Sequence, residues 1–290
     1  MLILDSYRYY LVEAILEIIA YIFGTSVIRY FLIAGIPFLF FYVLLKEKLR
    51  KFKIQQDYAG RKDFIREIWY STQSTLVFSI ITFLILFTPL KKYTLVYDNL
   101  SDYSEWYIGG SLILSLVIHD TYFYWIHRLL HHKTLFNRTH LLHHKSINPS
   151  PWTSYSFHLL EAIAEGSVVI VVTMLIPIHP FTILLFTVTG FIINVYGHLG
   201  YEIMPKWFRR TILFEFFNTS LHHNMHHRKF KWNYGLYFRV WDRIMKTEHP
   251  EYVKEYDLLQ EQRFKNFITE LSKGSIAVKK EMYIGSCNDH

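Results

Sequence analysis

His127-Arg-Leu-Leu-His131-His132, His140-Leu-Leu-His143-His144 and His222-His223-Asn-Met-His226-His227 together hold ten of the chain's sixteen histidines. Spacings of three and four residues put side chains on one side of an α-helix. Each stretch therefore presents a helical face crowded with imidazole, the commonest protein ligand for transition metals. Chance is a poor rival. One H-x-x-H-H pattern is expected roughly 0.05 times in a random chain of this composition, yet it occurs at 140–144 and again at 223–227. Neighbouring rings such as His143 and His144 cannot share one direction, so together they can reach two metals. A structural zinc closes with four ligands; eight or more histidines imply two metals. An all-imidazole shell suits iron, zinc, copper or nickel, whereas magnesium and calcium would demand oxygen.

Further polar residues gather around these boxes. His198, in Gly197-His-Leu-Gly-Tyr-Glu202, ends an apolar segment and is a ninth candidate ligand. His132 and His222 flank the boxes as additional candidates. Asp120 lies on one helical stripe with His127 and His131, where a carboxylate can hold an imidazole's outer N–H and fix its tautomer; capping or pairing with Arg128 is its other use. His158 precedes Glu161 by three residues, and both are expected beside the ligands. His119 is off the Asp120 stripe and reads as structural, and His179, His249 and His290 read as surface histidines.

Composition sets the environment. Hydrophobic residues make up 51% and aromatics 18%, while charged residues are only 19%, below the usual quarter. That balance indicates a membrane protein. The net charge of +7 fits Lys and Arg beside membrane spans, and no basic face interleaved with exposed aromatics suggests nucleic acid. The single cysteine, Cys287, excludes an intramolecular disulfide, Cys-rich zinc sites and iron–sulfur clusters. Asp5, Arg8, Glu13 and Glu17 argue against a cleavable signal peptide.

Apolar stretches at 26–45, 74–90 and 106–126 read as spans. Residues 9–23 read equally as a span or an interfacial helix. Residues 162–178 and 181–198, joined through Pro177 and Pro180, suggest a re-entrant hairpin. The basic run 46–53 reads as a cytoplasmic topology determinant, with anionic lipid as the sharper alternative. Counting spans onward from it brings all three boxes to the cytosolic side. Ser150-Pro151 is expected to open a helix over 151–165, Asn218 to cap the helix of the third box, and a further helix to cover 251–273. The fold expected is an all-α integral membrane protein with about four transmembrane helices and a cytosolic helical cap holding a histidine-rich dimetal site. Its parts are membrane-anchoring helices (1–105), a catalytic domain (106–250) and a cytosolic tail (251–290).

Tyr-Trp-Ile-His127 with the first box, His140-x-x-His143-His144, and His223-x-x-His226-His227 followed by Asn233-Tyr-Gly and Trp241-Asp-Arg resemble the fatty acid hydroxylase / sterol desaturase superfamily. SYSFH, NYGLYF and WDRIM look most like its C-5 sterol desaturase branch. The likeness runs from about residue 106 to 250. It implies a non-haem di-iron oxygenase that uses O₂ and two electrons to hydroxylate or desaturate a lipid of sterol or fatty-acyl type. The family's ligand positions fall on His127, His131, His140, His143, His144, His223, His226 and His227, with His198 close to a further one. Met-Lys-Thr after Trp241-Asp-Arg-Ile departs from the family, where a glycine is common before the Thr.

No glycine-rich dinucleotide fingerprint or haem-binding cysteine is present. The electrons must then come from a separate carrier, such as cytochrome b5 or a ferredoxin with an NAD(P)H reductase. The membrane would be the endoplasmic reticulum in a eukaryote or the inner membrane in a bacterium. Two alternatives are an alkyl-ether lipid monooxygenase of the same superfamily and a membrane metal transport or storage protein. Transporters place ionisable ligands near the bilayer midplane, whereas these boxes lie just past span ends. A zinc-dependent hydrolase would need a base, for which Asp120, Glu161 and Glu202 are the candidates.

Overall fold

The computed structural model describes residues 2–264. Among them helices and turns carry the chain, and no β-strand forms beyond isolated bridges. Helix α1 (Leu2–Phe38) runs on through a π-helical turn at Leu39–Leu44. The expected separate segments 9–23 and 26–45 are thus one continuous helix. Thr25 returns its hydroxyl to the Tyr21 and Ile22 carbonyls at 2.9 and 3.0 Å, so the Gly-Thr between them makes no break. Pro37 lies inside the helix, and its missing N–H precedes the widened π turn.

Helix α2 (Arg61–Phe87) opens with the Gly60 amide donating to Asp63 Oδ2 at 3.0 Å. Thr72, Thr75, Ser79 and Thr82 donate to carbonyls four residues back, which lets hydroxyls ride in an otherwise apolar helix. Helix α3 (Glu105–Leu130) carries the first box at its end, and the short α4 (Leu141–His144) carries the second. Ser150 caps only a 3₁₀ turn at Pro151–Tyr155, not the helix expected over 151–165. His158 starts α5 (Leu159–Gly166) afresh, and α6 (Val168–Leu175) follows after Ser167. Helix α7 (Pro180–Gly197), α8 (Ser220–Lys229) and α9 (Val240–Ile244) complete the catalytic region. A last helix occupies 252–264; the remainder of the helix expected over 251–273, together with Cys287 and His290, lies outside the described residues.

Among the described residues three helices are long and apolar enough to cross a membrane: Tyr10–Leu44, Arg61–Phe87 and Pro180–Gly197. At 26 residues α3 has the length of a span, but Glu105, His119, Asp120 and Arg128 lower its hydropathy. Three spans therefore stand on length and composition, against the four or so expected. Segment 162–178 divides into α5 and α6, each of eight residues and too short to cross.

Tyr30 and Ala34 of α1, Trp152, and Phe191 and Val195 of α7 form one buried cluster. Val168, Val172, Ile183 and Phe186 join α6 to α7 in another, with Leu112 and Leu116 of α3 against it. Phe208, Phe214, Leu221, Met225, Tyr252, Tyr256 and Leu259 back α8 from the far side. Full burial of one such side chain contributes about 1.5–3 kcal/mol. Two polar clamps fix the loop that follows the second box. Buried Glu67 accepts from Ser146 and Ser150 hydroxyls at 2.7 Å each. Lys53, fully buried, donates to Asn148 Oδ1 at 3.1 Å and the Gly200 carbonyl at 3.4 Å. The last lysine of the basic run is therefore an internal tie rather than a surface charge. Gly200 has φ +73°, and a Cβ there would meet the Tyr42 hydroxyl at 2.5 Å and the Pro149 carbonyl at 2.9 Å, so only glycine fits.

Candidate metal centre

The structure gathers nine imidazoles into two adjacent groups, and they are the nine candidate ligands. His127, His131, His140, His144 and His226 form one group; His143, His198, His223 and His227 form the other. Within each group the facing nitrogens all lie within 4.8 Å of one another. The neighbouring pairs divide as expected: His144 and His226 turn to the first group, His143 and His227 to the second. Thr219, rather than the expected Asn218, caps α8 by accepting the His222 amide at 3.4 Å. The carboxylate of Glu202 accepts the next free amide, from Leu221, at 3.1 Å. So capped, α8 holds His223, His226 and His227 on one face.

The ring nitrogens explain why a metal fits. The outer nitrogens of His127, His226 and His198 lie 2.8, 2.7 and 2.8 Å from the carbonyls of Tyr234, Trp232 and Asn194. A carbonyl only accepts, so these nitrogens carry the proton and each inner Nε2 is left with a bare lone pair. Glu161 does the same for His140, at 2.6 Å from its Nδ1. Yet Nε2 of His127 and of His140 face each other at 3.0 Å. In the second group His198 Nε2 stands 3.0, 3.2 and 3.3 Å from Nε2 of His223, His227 and His143. Lone pairs set against lone pairs in a buried site repel unless a cation lies between them. Two nitrogens bound at right angles to one metal, with bonds of about 2.1 Å, stand roughly 3 Å apart. Spacing, tautomers and donor type all fit a pair of transition-metal ions.

Electrostatics agree. Burial is the leading cause that holds His140, His143, His144, His223, His226 and His227 well below the ordinary imidazole range, and neighbouring imidazoles add to it. Burial lowers His198 to about 4 and, with His127 beside it, His131 to about 2. The rings are neutral near pH 7, the form that binds metal.

Other expected residues are placed differently. His132 is exposed, with Nδ1 2.8 Å from Thr134 Oγ1, because α3 has ended before it. His222 is buried outside both groups, its Nε2 3.9 Å from Asp242; one residue before His223, it points about 100° away around the helix. His158 caps α5 by accepting the Leu160 amide at 3.3 Å and contacts no ligand ring. Asp120 touches no imidazole either. Its Oδ1 accepts the amides of Tyr237 and Phe238 at 2.7 and 3.1 Å, tying α3 to the loop that follows the third box. His119 bonds the Tyr237 hydroxyl at 2.8 Å and faces a cavity. Of the expected outer partners, Glu161 alone reaches a ligand ring.

The remaining anchors are main-chain carbonyls: Asn194 offers its own from α7, and Trp232 and Tyr234 offer theirs from a loop that contains left-handed residues. Phe230, Trp232 and Asn233 have φ of 62°, 72° and 56°, costly for residues with a Cβ. Asp242 holds that loop by accepting the Tyr234 and Gly235 amides at 2.9 and 2.8 Å and the Thr247 hydroxyl at 2.8 Å. Burial pushes its carboxyl up to about 7. The signal for Asp242 was its place in Trp241-Asp-Arg; for the carbonyls the sequence holds no signal.

A largely apolar cavity of about 540 Å³ opens between α1, α2, α3 and α7, well within the range of lipid-sized ligands. Its floor meets the imidazoles. Phe123 and Phe157 both line it, and their ring centres lie 4.9 Å from His127 and 5.1 Å from His143. One aromatic ring thus stands between the cavity and each group. On another side, a separate open groove exposes His131 between Lys133 and Lys231.

A family model for fatty acid hydroxylase matches residues 112–247. Lathosterol oxidase of Homo sapiens is 30% identical over 227 residues, covering 78% of this chain and 69% of that protein. A Delta(7)-sterol 5(6)-desaturase of Gibberella zeae is 28% identical over 235 residues, 79% of this chain and 71% of its own length. A cholesterol 25-hydroxylase-like protein of Danio rerio is 29% identical over 215 residues, 71% and 80% of the two chains. No solved structure matches the chain.

Proposed function

The chain belongs to the fatty acid hydroxylase family, and on that premise we propose that it oxidises an unactivated C–H bond of a sterol-type lipid drawn from the bilayer. His127, His131, His140, His144 and His226 would hold one iron, and His143, His198, His223 and His227 a second. When bound, the iron pair supplies the activation of O₂ that no side chain can provide. The chain's own residues do the rest. The carbonyls of Tyr234, Trp232 and Asn194, with Glu161, keep the imidazoles neutral and oriented. Phe123 and Phe157 exclude water and bring the lipid's carbon to the imidazole floor, where proximity lowers the barrier. Asp120 and Asp242 fix the loop on which two of those carbonyls ride.

The observation that carries the reading is the meeting of bare imidazole lone pairs with the floor of an apolar cavity. The relatives named as desaturases and as a hydroxylase-like protein both support C–H oxidation. The groove at His131, rimmed by Lys133 and Lys231, suits the approach of an acidic electron carrier such as cytochrome b5 or ferredoxin. The boxes would lie on the cytosolic side of the endoplasmic reticulum or the bacterial inner membrane. Of the three carboxylates weighed as a hydrolase's base, Asp120 and Glu202 hold backbone amides and Glu161 holds the His140 ring. Lipid mass spectrometry of cells with and without the gene tests the proposal. A sterol that gains one oxygen or loses two hydrogens supports it; an unchanged lipid profile with iron-free purified protein overturns it.

A further inference from the structure

The cavity wall has two charged residues, and the protein treats them differently. Arg29, on α1, donates to Thr187 Oγ1 at 3.3 Å and Ser26 Oγ at 3.4 Å. Glu165, on α5, also lines the cavity, is only 8% exposed, and has no hydrogen-bond partner among the described residues. A carboxyl left unpaired in an apolar wall costs free energy whichever way it is protonated. The backbone that carries it is packed on both sides. Next to it, Gly166 is pressed against Phe78 and Ile81, where even a Cβ would come within 2.7 and 2.8 Å. On its other side the Ala164 carbonyl accepts the Tyr122 hydroxyl at 2.7 Å.

It also sits at the reacting end. Glu165 follows Glu161 by one helical turn, roughly 6 Å along the axis, and Glu161 touches the His140 ring. His119 lines the same cavity, with Nδ1 engaged by the Tyr237 hydroxyl and Nε2 without a partner among the described residues. Two unsatisfied polar groups therefore interrupt an apolar wall beside the imidazole floor.

We propose that Glu165 is a specificity-determining residue that hydrogen-bonds a hydroxyl of the lipid substrate, a hydroxyl carried near the carbon to be oxidised, with His119 as its neighbour on the wall. A carboxyl and a hydroxyl can each donate to and accept from the other, so the pairing satisfies both. This rests on the lipid-oxidation reading and sharpens it: a ring alcohol fits the site, and a plain hydrocarbon chain leaves Glu165 unpaired.

The test uses the iron-loaded enzyme with its electron donor, a Delta(7)-sterol, and the 3-methyl ether of that sterol. The wild type should prefer the free alcohol by about 10–100-fold in kcat/KM, the worth of one buried hydrogen bond to a carboxyl. Glu165→Gln, which still donates and accepts, should keep most of that preference. Glu165→Leu should lose it while iron content stays unchanged, and Glu165→Met serves if the leucine variant fails to fold. An equal preference in wild type and Glu165→Leu, or a wild type indifferent to the methyl ether, overturns the assignment while leaving lipid oxidation standing. A wild type that oxidises neither sterol nor any other lipid removes the underlying reading as well.

Discussion

The two imidazole groups are built from the same residue type but are not equally prepared. In the first group three of five rings are anchored on their outer side: His127 by the Tyr234 carbonyl, His226 by the Trp232 carbonyl and His140 by Glu161. In the second group His198 alone of four has such an anchor, the Asn194 carbonyl, while the outer nitrogens of His143 and His227, like that of His144 in the first group, are buried without a partner in hydrogen-bonding geometry among the described residues. A ring held from outside has its tautomer and direction set before a metal arrives. The second group has fewer such outer contacts to set its rings for a metal. The first group should therefore behave as the firmer of the two proposed iron sites.

The largest break in the comparison is His198→Ala. It removes the one anchored ring of the weaker group, around which the other three converge. Metal analysis should show half the wild-type iron and activity should vanish. His131→Ala, in the firmer group, should retain part of its first-site iron. Equal stoichiometry in the two variants would mean that anchoring does not govern retention.

Acid comes next, acting on the metal-free protein. A buried imidazole that stays neutral in the folded state takes up its proton only on unfolding, so the unfolded state binds more protons as pH falls below about 6.5. Stability should then rise with pH through that window and fall below it, by about 1.4 kcal/mol per pH unit for each such ring. Nine buried rings outside the helical spans, His222 among them, are lowered in this way. Four carboxyls, Glu161, Glu165, Glu202 and Asp242, are raised by burial and pull the opposite way, but they are outnumbered. The melting temperature of metal-free protein should drop steeply between pH 7 and 5, with the loaded protein resisting over the same range. A flat profile for the metal-free form would show that the rings are not buried neutral.

How much of this could be read in advance depends on where each signal resides. Spacing located eight of the nine gathered imidazoles, because helical periodicity fixes which side chains share a face, and His198 was marked only by its place at the end of an apolar segment. Spacing misplaced His158 and Asp120, since capping and backbone anchoring use the same polar residues as ligand support and leave the same pattern. Three of the four ring anchors are carbonyls, which every residue owns, so no letter marks Tyr234, Trp232 or Asn194. The left-handed backbone at Phe230, Trp232 and Asn233 was hidden for a related reason: no glycine announces it. Hydropathy found the apolar segments but could not show that those at 9–23 and 26–45 fuse, because nothing between them breaks a helix. Lys53 read as one more basic loop residue until tertiary contacts buried it.

Glu161→Gln narrows the comparison from the other side. Glutamine keeps the size and can still accept from His140 Nδ1, but it lacks the charge that strengthens the imidazole as a donor to metal. Loss of such an outer partner typically costs 10–100-fold in metal affinity. The first group should then fall toward the second without emptying.

The smallest effect is the order in which metal leaves the unaltered protein. Titration with a chelator at pH 7 should remove iron in two steps, the second group first, separated by about tenfold in chelator concentration, the low end of what one ring anchor contributes. Selective loss can be located because the groups differ in what surrounds them. Tyr234 packs 5.6 Å from His127 and 5.2 Å from His131, so a tryptophan placed there by Tyr234→Trp reports the first group, read as the difference from the emission of the parent protein. Phe157, by contrast, lies against His143 of the second group. A Tyr234→Trp signal that changes only in the later step would place the firmer metal among His127, His131, His140, His144 and His226. A signal that changes in the earlier step would reverse the order, and outer-nitrogen anchoring would then not be what separates the two groups.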